Sequence, residues 1–223
     1  MYSLPFVLRD PGELILLTAM ARFYAALPVL SRSLLNTIPR SPGFLTGMQG
    51  KAVELLVAAK ELRHPEFFKD CLLLCLGPWG APKFMQLKDQ QLKSVAIHAR
   101  KELCFGVYEA QARIVHAMGN SHYADSIKTA LGTVEFNAAR SLSHGGDQIH
   151  QCGDQVCMPC YYSKLLNANL YCFQSEIRKS FEPLMEDRLT LINANNLKRR
   201  SCYFLGLAIR DEDLPWDQTQ TDW

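Results

Sequence analysis

Proline and glycine cut this chain into helix-sized pieces, and their spacing limits the fold more than any other feature. Pro11 and Gly12 precede a run from Glu13 to Leu27 whose apolar residues recur every three or four positions. That period gives a helix one buried face. Pro28 suits the first turn of a second helix, to about Ile38, because the missing N–H of proline is no loss there. Breakers at Pro39, Pro42 and Gly43 then stop the helical pattern. A third helix is predicted from Ala52 to Arg63, ended by His64 and Pro65, and a fourth from Glu66 to Leu76. The stretch Gly77-Pro78-Trp79-Gly80-Ala81-Pro82 closes this part of the chain with four breakers in six residues.

Beyond Pro82 the pieces lengthen. From Leu87 to about Asn120 one face carries Leu92, Val95, Ala96, Ala99, Leu103, Val107, Ala110, Ile114 and Met118, the signature of a long helix that Gly106 interrupts. Between Gly119 and Pro159 the period fades, and residues 141–147 are rich in turn formers, which predicts an irregular loop around 140–160. Helical period resumes from Tyr161 to about Leu191, with a break expected at Pro183. Leu197 to Leu207 reads as a last helix or a short strand. Strand signals are thin and no repeat of fixed period recurs. The expected class is therefore all-α: a helical hairpin, a helix bundle, an irregular loop and a C-terminal helical portion.

Composition narrows the function classes. The 223 residues are 48% hydrophobic and 21% charged with a net charge of +2, so neither disorder nor a field that gathers nucleic acid is indicated. Met1 to Asp10 lacks the basic, apolar and small-residue order of a secretory signal. The apolar stretch Leu14 to Leu30 is broken by Arg22 and Pro28, short of the roughly 20 apolar residues of a spanning helix. An intracellular protein, cytoplasmic or nuclear, is expected, bound to neither membrane nor nucleic acid. The common nucleotide-binding, serine-hydrolase and zinc-protease motifs are absent. The carboxylates Glu186-Asp187 and Asp211-Glu212-Asp213 are sequence neighbours rather than a pair held across a cleft. His98, His116 and His122 fall on or beside a helical pattern as packing or surface residues. No catalytic residue is assigned.

One constellation carries chemistry. Cys152, Cys157 and Cys160, with His144 and His150 upstream, gather soft and borderline ligands within a short stretch. Cys-x-x-Cys lets one turn offer two thiolates to zinc. The candidate ligand set is Cys152, Cys157, Cys160 and His150. Set against it is a surface loop with incidental thiols, since no second Cys-x-x-Cys follows. Cys71, Cys75, Cys104, Cys172 and Cys202 stand among apolar or helical residues, where a free cysteine acts as a small hydrophobe. Lys198-Arg199-Arg200 is too short for an import or nucleic-acid patch. Trp216 and Trp223 bracket an acidic tail that serves either as a docking peptide or as a cap folded onto the core.

Two stretches also resemble a known family. Leu14 to Leu30, with its small residue, aromatic and Leu-Pro-x-Leu pattern, is similar to the last helical hairpin of a BTB/POZ domain. Ala52 to Leu72, with the later Gly77-Pro78-Trp79, resembles the BACK-like helices that follow it in fungal BTB-domain proteins. The tail Leu214-Pro215-Trp216-Asp217 is similar to the same group. The resemblance divides the chain into a BTB-like hairpin (1–45), a BACK-like segment (46–135), a Cys/His loop (136–160) and C-terminal helices with an acidic tail (161–223). The strands that open a BTB domain are missing ahead of Leu14. The resemblance implies a non-enzymatic adaptor with protein partners, a homodimer among them, and in some relatives a link to cullin-type ubiquitin ligases. A zinc-stabilised binding module and an enzyme with an unrecognised site are the alternatives.

Overall fold

The computed structural model describes residues 6–119, 157–168, 173–192 and 200–217, with 125, 128, 129, 132, 195, 197 and 219 singly. Among these residues the fold is all-α and no β-strand is formed. No described helix is long and apolar enough to cross a membrane.

The breakers set the helix starts as expected. Helix α1 (Pro11–Phe23) begins at proline, and Asp10 caps it by accepting the Gly12 and Glu13 amides at 2.7 and 3.1 Å. Helices α2 (Leu27–Thr37), α4 (Ala52–Glu61) and α5 (Pro65–Leu76) fall close to their predicted spans. Helices α1 and α4 both end in a six-to-one hydrogen bond, Ala26 N–H to Ala21 C=O and His64 N–H to Ala59 C=O. Each passes through a left-handed residue, Ala25 at φ 52° and Arg63 at φ 44°. This is the helix-ending motif that glycine usually occupies, reached here without it. His64 then starts α5, its Nδ1 accepting the Phe67 amide at 3.3 Å.

Three expectations are corrected. Pro42 and Gly43 do not only stop a helix, because Pro42 also opens a short one, α3 (Pro42–Gly47). Gly106 does not interrupt α6 (Gln90–Gly119), a single helix of 30 residues. The C-terminal period has a further break after Asn167, giving α7 (Met158–Asn167) and α8 (Gln174–Met185), and α8 carries Pro183 in its last turn. Pro183 has no N–H to give the Lys179 carbonyl, and the helix stops two residues beyond it. Residues 203–210 are neither helix nor paired strand. They run extended after a 3-10 turn, Arg200–Cys202.

The packing passes from helix to helix: α1 lies on α2 and α4, α4 on α5, α5 on α6, α6 on α8 and α8 on α7. One apolar core runs through this series, from Leu8 to Leu214. Helix α5 lies at its centre and buries nine of its twelve residues, which fits a helix apolar on all sides. The extended C-terminal segment closes over it. Two glycines allow that approach: a Cβ on Gly77 would stand 2.2 Å from the Tyr203 ring, and one on Gly206 would stand 1.8 Å from the Pro183 carbonyl oxygen.

Three consecutive residues of α5 hold the C-terminal chain. Phe68 meets the Trp216 ring edge to face at 5.1 Å, and Lys69 pairs with Asp211 at 2.6 Å. Asp70, fully buried, accepts the amides of Thr190 at 2.8 Å, Leu191 at 2.9 Å and Ile192 at 3.2 Å, together with the Thr190 hydroxyl at 3.2 Å. Burial pushes the Asp70 carboxyl up to about 6, against the pull of these donors toward the charged form. The folded chain then takes up this proton at a higher pH than the unfolded chain, whose ordinary value is 3.8. The contribution is full below about pH 4 and is lost as pH rises through about 6. Comparison of wild type with Asp70→Asn by urea unfolding should show the stability difference moving by about 3 kcal/mol toward wild type between pH 7 and pH 4.

Candidate functional site

Two features of the surface and one cluster near it bear on function. The first is the outside of α1. Leu14, Thr18 and Ala21 face the core at i, i+4 and i+7. Leu16, Met20 and Phe23 repeat that spacing two residues later, which at about 100° per residue places them on the opposite side. Leu16 is 62% exposed, Met20 48% and Phe23 82%, and Tyr24, packed edge to face on Phe23 at 5.0 Å, is 70% exposed. Val29 and Leu35 of α2 are exposed as well. A second strip lies on α6, where Ile97, Phe105, Tyr108 and Val115 face away from the buried Leu92, Leu103, Val107 and Ile114.

The cluster lies at the start of α7. Cys157 directly precedes the helix and is buried, and Cys160 is half-buried in the first turn. The Sγ atoms of both come together with that of Cys202, all three within 4.8 Å of one another, Cys160 and Cys202 at 3.9 Å. Hydrogen bonds with the Cys160 and Cys202 thiols, then burial, push the Cys157 thiol up, while the Cys160 backbone N–H pulls it down. Cys202 is fixed by its neighbours: its carbonyl accepts the Trp79 amide at 3.1 Å. Phe204, two residues on, meets Trp79 edge to face at 4.9 Å. Arg100 sits 3.6 Å over the other part of this assembly, the Trp79 ring, and donates to the Leu76 and Trp79 carbonyls. Tyr162, one turn into α7, stacks on Phe181 at 4.0 Å.

The structure therefore joins two of the predicted ligands, Cys157 and Cys160, to a third that sequence spacing did not indicate. Cys202 is 42 residues from Cys160. Its only sequence context is Arg200-Ser-Cys-Tyr-Phe, which reads as an apolar cysteine and gives no ligand signal. Cys152, His144 and His150 lie outside the described residues. Among the described residues no other group of three histidine, cysteine or acidic side chains comes this close together.

The histidines and the tail are placed differently. His98 borders a hollow of about 210 Å3 with Glu102, Arg210 and Asp213, and a shallower one of about 490 Å3 with Trp216 and Asp217. His64 is buried, which lowers its pKa against the pull of Glu66. Trp216 folds onto Phe68, and Gln91 donates to the Pro215 carbonyl at 2.8 Å, so this part of the tail caps the core. Trp223 lies outside the described residues, as do Lys198 and Arg199.

No protein-family model, curated protein or solved structure matches the chain.

The cysteines differ in what they offer to a reagent. Cys104 is exposed on α6, whereas Cys71 and Cys75 are buried in α5, where burial raises the first thiol and pushes the second up to about 12. Alkylation of the native chain at pH 8, read by peptide mass mapping, should modify Cys104 well before Cys71 or Cys75. Equal rates at all three would contradict this burial.

Proposed function

We propose that the chain is a non-enzymatic adaptor that binds another protein through the outer face of α1. The observation that carries this reading is the double-sided apolar character of that helix. A helix apolar on one side rests on its own core, and one apolar on both sides asks for a second surface. Leu16, Met20, Phe23 and Tyr24 form a contiguous exposed row on a helix whose inner row is already buried. Exposed apolar rows of this kind mark partner sites, and aromatic residues with methionine are the types enriched at interface centres. The resemblance of Leu14 to Leu30 to the final BTB hairpin supports the same reading, because in that family this hairpin packs within a protein-binding domain.

The partner surface is apolar, and a second copy of this chain offers one such surface. Helix α1 carries two charged side chains, Glu13, which accepts the Arg9 amide at 2.7 Å, and Arg22, whose guanidinium is paired with Glu61 at 3.1 Å. Binding here is therefore driven by burial of apolar area and is weakly sensitive to salt.

The double substitution Leu16→Asp with Phe23→Asp tests the proposal. Both side chains are exposed, so stability should stay within about 0.5 kcal/mol of wild type for each change. Proteins that co-purify with the tagged chain, quantified by mass spectrometry, should include a discrete set lost in the double variant and kept in Lys51→Asp. The same set retained by the double variant, or none with wild type, would overturn the assignment.

A further inference from the structure

Three sulfur atoms meet at the start of α7, and the adaptor reading makes no use of them. In a tetrahedral zinc site with metal–sulfur bonds of about 2.3 Å, the sulfur atoms stand about 3.8 Å apart. Cys160 and Cys202 are already at 3.9 Å, and all three Sγ atoms lie within 4.8 Å. A metal at the centre of this triangle needs shifts of no more than about 1 Å. A disulfide would draw two sulfurs to about 2.05 Å and leave the third without a role.

The backbone supports the same chemistry. Cys157 and Cys160 bracket the first turn of a ten-residue helix, and that turn holds both Sγ atoms within reach of Cys202. Cys160 is half-buried and gives an ion a way in, while Cys157 and Cys202 are closed off from water. Cys71 and Cys75 provide the contrast. They are also buried, one turn apart on α5, yet no third ligating side chain joins them among the described residues.

We propose that Cys157, Cys160 and Cys202 bind one zinc ion as thiolates and so clasp the first turn of α7 to the turn at Arg200–Cys202. Each thiol releases its proton to the buffer as it coordinates, and the sulfurs keep their oxidation state. A donor outside this group takes the fourth place. A zinc site closed in this way contributes to folding rather than to catalysis. It ties together two segments that are 42 residues apart.

The test uses the full chain, purified with a reductant and without chelator. About one zinc per chain is expected, and cobalt in its place should give the absorption of a tetrahedral thiolate site. Cys160→Ser and Cys202→Ser should each weaken zinc binding by more than about 100-fold, whereas Cys104→Ser should leave it unchanged. A second measurement needs no variant: zinc added to the metal-free wild type should shield Cys160 from alkylation while Cys104 stays reactive. No stoichiometric metal with no shielding of Cys160 would overturn the proposal, as would full zinc binding retained by both serine variants.

Discussion

A buried carboxylate holds the C-terminal half of this fold in place. Asp70 has no exposed surface, and its two oxygens accept three successive backbone amides and a hydroxyl from Thr190, Leu191 and Ile192. Buried backbone donors require partners, and a carboxylate satisfies several at once. Because Asp70 sits in the middle of α5, the most buried helix, the segment after α8 is anchored to the centre of the core. Phe68 and Lys69 extend the same grip to Trp216 and Asp211. The extended chain at 203–210 then lies close to α5 and α8, at distances that Gly77 and Gly206 permit.

The helical pieces were legible in the sequence because proline and glycine act locally. Pro11 and Pro65 mark helix starts, and Gly77 to Pro82 mark a boundary, through backbone chemistry that needs no tertiary partner. What the sequence could not convey depends on partners far along the chain. The 3-10 turn and extended run after Arg200 are set by Trp79, Gly77 and Leu184, with which Cys202, Tyr203 and Gly206 make contact. Pro183 acts locally as well, and α8 ends two residues after it, whereas the break after Asn167 carries no proline or glycine to announce it. Gly106 read as an interruption, but a Cβ there would stand 3.2 Å from Leu184, so its small size lets α8 approach α6.

The candidate sites divide in the same way. Cys-x-x-Cys is a local signal, and it located Cys157 and Cys160. Cys202 joins them only through folding, and an isolated cysteine between a basic run and aromatic residues carries no mark of that. The α1 surface shows a different limit. A period of three to four identifies one buried face, and Leu14, Thr18 and Ala21 supply it. The parallel row Leu16, Met20 and Phe23 was visible in the same letters, but deciding which row is buried required the packing against α4.

The adaptor proposal requires this outer row to be exposed in the isolated chain and covered in an assembly. Hydroxyl-radical footprinting reads it directly, because methionine, phenylalanine and tyrosine side chains all react where solvent reaches them. In the isolated chain Met20, Phe23 and Tyr24 should be oxidised readily, with the buried Phe44 and Phe67 as slow references. In complexes recovered from cells the same three residues should be protected, while the exposed Met85 keeps its reactivity. Unchanged oxidation of Met20, Phe23 and Tyr24 in those complexes would rule out this face of α1 as the partner site.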